Sequence, residues 1–260
     1  MKSFAERNPV TFGIISTIAV FLLYTLTGMG LFHWVAPLIG SASGFFIGGT
    51  VRLVFAIPAI ILLGYVIKDS GFKFTFSTQG FAKSMFAGIP ILIYILTITI
   101  PLFDLSEINA DFIPTIPAFI FQQLTVGILE ESLFRGLLMT ALIAKFCDKV
   151  KGRFLTVFIC GLLFGVLHVV NAFTGGQDSM AIGLLTIGIA FAVVYLYSKN
   201  LLGCIILHAF YDIASGMYSG LATEVGNQTM FQHMQLISSL LLLAMPLVVI
   251  PWIVKSKPFG

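Results

Sequence analysis

Charge is what this chain has least of. Asp, Glu, Lys and Arg make up 10% of its 260 residues, where a soluble domain carries about 25%. With 58% hydrophobic residues and a mean hydropathy of +1.04, that scarcity excludes a soluble globular domain and defines a polytopic membrane protein. The positive charges form no stripe beside base-reading side chains, so nucleic acid is excluded as a partner. Cysteine is scarce as well. Cys147, Cys160 and Cys204 show no metal-ligand spacing, and the last two fall in apolar runs. They read as packing residues rather than disulfides. Internal repeats and low-complexity linkers are also lacking, which argues for one membrane domain, 1–260, and against a transporter built from paired repeats. Lys2 and Arg7 precede an apolar run from Val10 to Phe32 that is too long for a signal-peptide core and has no small-residue cleavage site after it, so this run is expected to stay as a helix.

What the chain does have is apolar runs of spanning length. About eight segments of roughly 20 residues can be drawn, at 10–32, 44–67, 84–103, 113–144, 154–173, 179–198, 201–218 and 234–254. The expected fold is all-α, a polytopic transmembrane helical bundle. Alternate connections carry Lys2, Arg7, Lys68, Lys73, Lys83, Lys145, Lys149, Lys151, Arg153, Lys199, Lys255 and Lys257. The intervening ones carry Asp104, Glu107, Asp111, Asp178 and Glu224 and no basic residue. The positive-inside rule then places both termini in the cytoplasm. Arg52 falls near the start of the second segment, where it either snorkels to the interface or pairs inside the bundle. The loop Gly71–Phe81, with its alternating phenylalanines, either lies in the interface or covers helix ends. The pairs Gly44/Gly48 and Gly161/Gly165 permit close helix approach and do not by themselves define an oligomer.

Against this background a few polar residues stand out. The fourth segment contains Gly127-Ile-Leu-Glu130-Glu131-Ser-Leu-Phe-Arg135. The fifth contains Phe164-x-x-x-His168, and the seventh His208-x-x-x-Asp212. Ionisable groups at hydrocarbon depth cost several kcal/mol without a partner or a wet cavity, so by default they mark function. Spacings of four put each pair on one helix face. Glu131 is therefore expected to pair with Arg135, Phe164 to pack on the His168 ring, and Asp212 to accept from His208 and fix its tautomer. Glu130 lies 15 residues before Lys145 and His168 lies 15 after Arg153, roughly 22 Å along each helix. The three segments thus bring their polar groups to a similar level. Gln123, Gly127, Glu130, Glu131 and Phe134 share a broad face that is expected to line a cavity. Taken singly, each motif has a structural reading: a Glu131–Arg135 clamp, a satisfied core histidine, a brace between helices. Taken jointly, three helices placing acids and imidazoles at one depth point to a functional cluster.

Two carboxylates and two histidines can activate water, donate to an oxyanion, ligate a divalent metal or relay protons across a membrane. The order, spacing and placement of the three motifs resemble the signature of the CPBP (Abi/CAAX-protease-like) intramembrane protease family. The resemblance covers about residues 120–215, within a motif-bearing core at 113–218. It implies a helical bundle around a cavity and an endopeptidase of glutamate type. Glu130 would then be the base, His168 would help hold the water, Glu131 with Arg135 would fix the helix and tune the base, and His208 with Asp212 would occupy the place of an oxyanion-stabilising His and Asn. Phe164 and Gln123 are supporting residues. An ionised Asp212 cannot donate to an oxyanion, so it is either protonated or orients His208. No metal and no other cofactor is expected from the resemblance, and a divalent metal stays open on the residues alone. The implied substrate is a peptide or protein in or at the lipid bilayer, and compact size without targeting extensions makes a prokaryotic cell membrane the expected setting. A non-catalytic immunity or scaffold protein that retains the site, and a metal-dependent form of the same protease, are the alternatives.

Overall fold

A computed structural model describes residues 2–34, 38, 40–70, 78–100, 102, 108–175, 181–222, 236–237, 240, 244, 250–251 and 253–255. The helices are α1 (Lys2–Arg7), α2 (Pro9–Trp34), α3 (Ser41–Ser70), α4 (Phe81–Ala87), α5 (Ile89–Thr99), α6 (Ile116–Glu131), α7 (Thr140–Phe146), α8 (Val150–Gly175), α9 (Ala181–Ser198) and α10 (Leu201–Leu221). A π-helical segment, Ser132–Met139, joins α6 to α7. Among the described residues there is no strand, and one isolated bridge pairs Ile108 with Ala222. The all-α bundle expected from composition is the fold observed.

Among the described residues, four helices are long and apolar enough to cross a bilayer, at Pro9–Gly28, Ser41–Val66, Val150–Val169 and Leu201–Leu221. The third expected segment is not one straight span: α4 and α5 meet at 60°. Gly88 and Pro90 explain the break, because glycine relaxes the backbone and proline supplies no amide hydrogen to continue the ladder. The fourth expected segment runs through α6, the π segment and α7. Most of 234–254 lies outside the described residues, as do 71–77 of the phenylalanine-rich loop and Asp104, Glu107, Asp178 and Glu224. Eight spans and cytoplasmic termini therefore stay expectations.

Close approaches hold the bundle in register. A Cβ on Gly161 would stand 3.0 Å from the Ile189 nitrogen, and one on Gly165 would stand 3.1 Å from the Leu185 Cα. This small-residue pair thus seats α8 against α9 within the chain. A Cβ on Gly127 would stand 2.8 Å from the Ile205 carbonyl oxygen, so α6 and α10 touch backbone to backbone there. Gly127, on the face expected to line a cavity, packs against the α10 backbone. α9 is the central post, with Ala190–Leu196 buried on every side. The turn into α10 is as tight as its sequence implies. Lys199 adopts a left-handed φ of 56°, and the Asn200 side chain accepts from the Gly203 amide at 2.7 Å, capping α10. The three cysteines are free and buried.

The π segment has a local cause. Its wider turn leaves backbone carbonyls without their usual partners, and three side chains take them up. Thr17 Oγ1 on α2 donates to the Leu133 carbonyl at 3.2 Å, Cys160 Sγ on α8 to Phe134 at 3.4 Å, and Thr140 Oγ1 to Arg135 at 3.4 Å. In an apolar bundle such substitute donors are what let a helix depart from α geometry.

Candidate active site

Glu130, Glu131, Arg135, His168, His208 and Asp212 come together between α6, the π segment, α8 and α10. Glu130 Oε2 lies 3.1 Å from His168 Nε2 and 3.7 Å from His208 Nε2. Glu131 Oε1 accepts from Arg135 Nη1 at 2.8 Å, the expected pair one turn apart. The same oxygen lies 2.6 Å from His208 Nδ1. Asp212 Oδ2 is 3.5 Å from His208 Nε2. The expected partner for orienting His208 was Asp212, on its own helix. The shorter contact is with Glu131 on α6, and it falls on the opposite ring nitrogen. Because a carboxylate oxygen accepts, Nδ1 donates to Glu131 and Nε2 is left facing Glu130 and Asp212.

The rings are held as firmly as the polar atoms. Phe164 stacks on His168 with centroids 4.1 Å apart, as the spacing of four implies. His168 Nδ1 lies 2.8 Å from the Phe164 carbonyl, which can only accept, so this nitrogen carries hydrogen. Its Nε2 then meets Glu130 Oε2 across one shared proton. Phe191 stacks under His208 at 5.0 Å and 21°. The Arg135 guanidinium sits 4.8 Å over Phe164 and 5.2 Å over Phe191 and donates to the Gly188 carbonyl at 3.0 Å. Fully buried, it meets one carboxylate, one carbonyl and two ring faces, while its Nε has no hydrogen-bond partner among the described residues.

The cluster is graded from closed to open. Side-chain exposure is 0% for Glu131 and Arg135, 4% for His208, 10% for Glu130, 14% for His168 and 20% for Asp212. The clamp is sealed, whereas Glu130, His168 and Asp212 are partly exposed. Gln123 is half-buried two turns from Glu130, and its neighbour Gln122 is the buried glutamine. Among the described residues, no three His, Cys, Asp or Glu side chains stand in an arrangement that would hold a metal ion.

Sequence reasoning drew α9 as a spanning segment but assigned it no part in the site. Gly188 and Phe191 serve the site through a backbone oxygen and a ring face, and neither carries a titratable group. The only available signal was a glycine and an aromatic three residues apart on a helix facing the motifs.

The fold and site define a polytopic helical membrane protein with a carboxylate–imidazole cluster inside its bundle. Residues 112–214 match the family model described as Rce1-like, type II CAAX prenyl endopeptidase Rce1-like. This segment, which carries all three motifs, is similar to that CAAX-protease-like family, a family of membrane proteases. No curated protein and no solved structure matches the chain.

Proposed function

We propose that the chain is an intramembrane endopeptidase of glutamate type, hydrolysing a peptide bond of a membrane-associated or lipidated substrate. The observation that supports this reading is the convergence of His168 Nε2 and His208 Nε2 on a partly exposed Glu130 Oε2, at 3.1 and 3.7 Å.

In this reading a water wedges between Glu130 and His168. Glu130 takes one of its protons as the water oxygen attacks the carbonyl carbon. His208, as an imidazolium with Nδ1 donating to Glu131, donates from Nε2 to the oxyanion of the tetrahedral intermediate. Glu130 then passes its proton to the departing amine, the C–N bond breaks, and a carboxylic acid and an amine leave, the acid's proton passing to the amine in water. Glu131 and Arg135 hold His208 and the helix and take no proton. Asp212 borders Nε2 of His208 and assists its placement. No metal enters this scheme.

The test is hydrolysis of a lipidated peptide by the purified protein in liposomes. Glu130→Gln and His168→Ala are expected to lose at least about 100-fold in rate, the lower range for general acid–base catalysis, with unchanged thermal midpoints. Metal stripping should leave the wild-type rate intact, and Asp212→Asn, which offers a neutral donor, should keep or raise it. Full activity in Glu130→Gln removes the mechanism. A rate lost on stripping, and restored by Zn²⁺ in both wild type and Asp212→Asn, replaces it with the metal-dependent form.

A further inference from the structure

α2 lies outside the matched segment 112–214 and carries none of the three motifs, yet one of its faces lies against the site. Gly13, Thr17 and Phe21 follow one another at intervals of four and so share that face. All three are buried. A Cβ on Gly13 would stand 3.0 Å from the Ala141 Cβ and 3.7 Å from the Leu138 Cα. One turn on, Thr17 Oγ1 donates to the Leu133 carbonyl at 3.2 Å. As α2 advances, its partners recede from Ala141 to Leu133, so α2 runs antiparallel to the π segment. A further turn, roughly 6 Å, brings Phe21 to about the level of Glu130.

At that level Phe21 packs against His168. Its ring centroid lies 5.4 Å from that of His168 and 5.8 Å from that of Phe134. The other supports of the imidazole differ in kind. The Phe164 carbonyl at 2.8 Å and the Phe164 ring at 4.1 Å both come from α8, so they fix the imidazole against its own helix. Fixing it relative to Glu130 takes groups from outside α8. Phe134 is one, with centroids 6.3 Å apart. Phe21 is nearer and packs on both rings, so it ties the imidazole to the segment that follows Glu130.

Phe21 is 1% exposed and Thr17 0%, so neither side chain is placed to touch a substrate. What they can do is set where other groups stand. A ring packed at interior density leaves a neighbouring ring little freedom to turn. In the hydrolytic scheme a water fits between Glu130 and His168, which stand 3.1 Å apart. The swing of the imidazole therefore decides whether that water is held. Thr17 acts one step earlier. Its hydroxyl takes up the Leu133 carbonyl in the wider π turn that carries Phe134 and Arg135, and so holds the frame on which Phe21 packs.

We propose that α2 completes the site: Phe21 holds the His168 ring at its working distance from Glu130, and Thr17 holds the π segment on which Phe21 leans. Both are positioning residues. This rests on the endopeptidase reading. The matched segment 112–214 then needs α2 to build a competent site.

The experiment measures kcat and KM on a lipidated peptide with full-length protein in liposomes, together with the imidazole NMR signals of protein carrying isotope-labelled histidine. The His168 signal is assigned by its loss in His168→Ala. Phe21→Leu is expected to lower kcat roughly 10- to 100-fold, the cost of displacing a catalytic group by about 1 Å, with KM little changed. Phe21→Met refills the place without a ring and should repeat the loss, which covers the case in which Phe21→Leu does not fold. Phe12 is a buried phenylalanine of the same helix. Phe12→Leu removes the same atoms and should keep kcat while lowering the thermal midpoint by a similar amount. Thr17→Val, of the same shape without the donor, should lower kcat, and Thr17→Ser should retain most of it. Equal kcat in the Phe21 and Phe12 variants, or a loss confined to KM, overturns the role of Phe21 and leaves the peptidase reading standing. Full kcat in Thr17→Val overturns the role of Thr17. The spectrum separates the two readings. Wild type is expected to show one His168 signal with hydrogen on Nδ1, which splits or broadens in Phe21→Leu and not in Phe12→Leu. If wild type cuts no peptide but the signal responds in that way, the positioning role stands and the peptidase reading falls. If the signal does not respond either, both fall.

Discussion

Glu131 holds two charged partners with one oxygen. Oε1 accepts from Arg135 at 2.8 Å and from His208 at 2.6 Å, and both Glu131 and Arg135 are fully buried. Breaking such a pair from one side is far costlier than removing both members, because it strands a charge in an apolar interior. Glu131→Gln leaves Arg135 with the Gly188 carbonyl and the Phe164 and Phe191 faces. Its expected destabilisation is about 3–5 kcal/mol, read as a fall in the thermal midpoint of the purified protein. The double variant Glu131→Leu with Arg135→Met is expected to regain most of that stability while staying inactive, since the ring of His208 loses the acceptor that sets its tautomer. A double variant as unstable as the single one would show that the ion pair contributes beyond mutual neutralisation. The same logic separates the neighbouring glutamates. Glu130 is partly open and its loss should spare the fold, whereas Glu131 is sealed and its loss should not.

Among the elements, α6 and α10 owe their separation to Gly127, where the backbones meet. A methyl group there has no flexible side chain to push aside, only the Ile205 carbonyl at 2.8 Å and the Ala209 amide at 3.4 Å. Gly127→Ala must therefore move α10 outward, and α10 carries His208 and Asp212. Hydrolysis should fall by at least tenfold, since misplacing a catalytic group by about 1 Å can cost about 100-fold. Gly64→Ala is the control, because nothing lies within 4 Å of a Cβ there. Equal rates in the two variants would show that the α6–α10 spacing does not position His208. Elements differ in how far their sequences reveal them. α6 with the π segment, α8 and α10 carry motif residues four apart, and that spacing assigns each pair to one face. The π segment has no residue signature, since its tolerance comes from Thr17, Cys160 and Thr140 supplying donors, two of them from distant helices. The contact of Glu131 with His208 was illegible for a related reason. Spacing within α10 points to Asp212, and only the crossing of α6 over α10 brings Glu131 nearer. The break between α4 and α5 was legible in Gly88 and Pro90 but was passed over, because apolar runs were counted without regard to backbone breakers.

On the scale of the whole molecule, contacts sort the helix ends independently of their charge. Arg153 at the start of α8 donates to the carbonyls of Cys147 at 3.0 Å, Ile253 at 3.2 Å and Val254 at 2.6 Å, so the C-terminal stretch sits beside the α7–α8 connection. This residue had counted only as a loop charge, yet it is buried and fastens two chain segments. Lys199 lies within coulombic range of Cys147 and Arg153, and Asn200 Nδ2 donates to the Gln79 carbonyl at 2.9 Å. The connections bearing Lys83, Lys145, Lys149, Lys151, Lys199 and Lys255 are thus gathered at one end of the bundle. The far ends of α6 and α10 meet at the other, where the Asn109 amide donates to the Leu221 carbonyl at 3.0 Å beside Asp111. Basic residues therefore collect at one face, and that face is expected to be cytoplasmic. Single cysteines at Lys151, Lys255 and Asp111, probed in intact cells with a membrane-impermeant maleimide, test this directly. Cys147, Cys160 and Cys204 are buried, so the natural background should be low. Asp111→Cys should be labelled from outside, and Lys151→Cys and Lys255→Cys only after the membrane is permeabilised. Labelling of Lys151→Cys and Asp111→Cys from the same side would sink the topology, because one face of a bundle cannot hold both ends of α6.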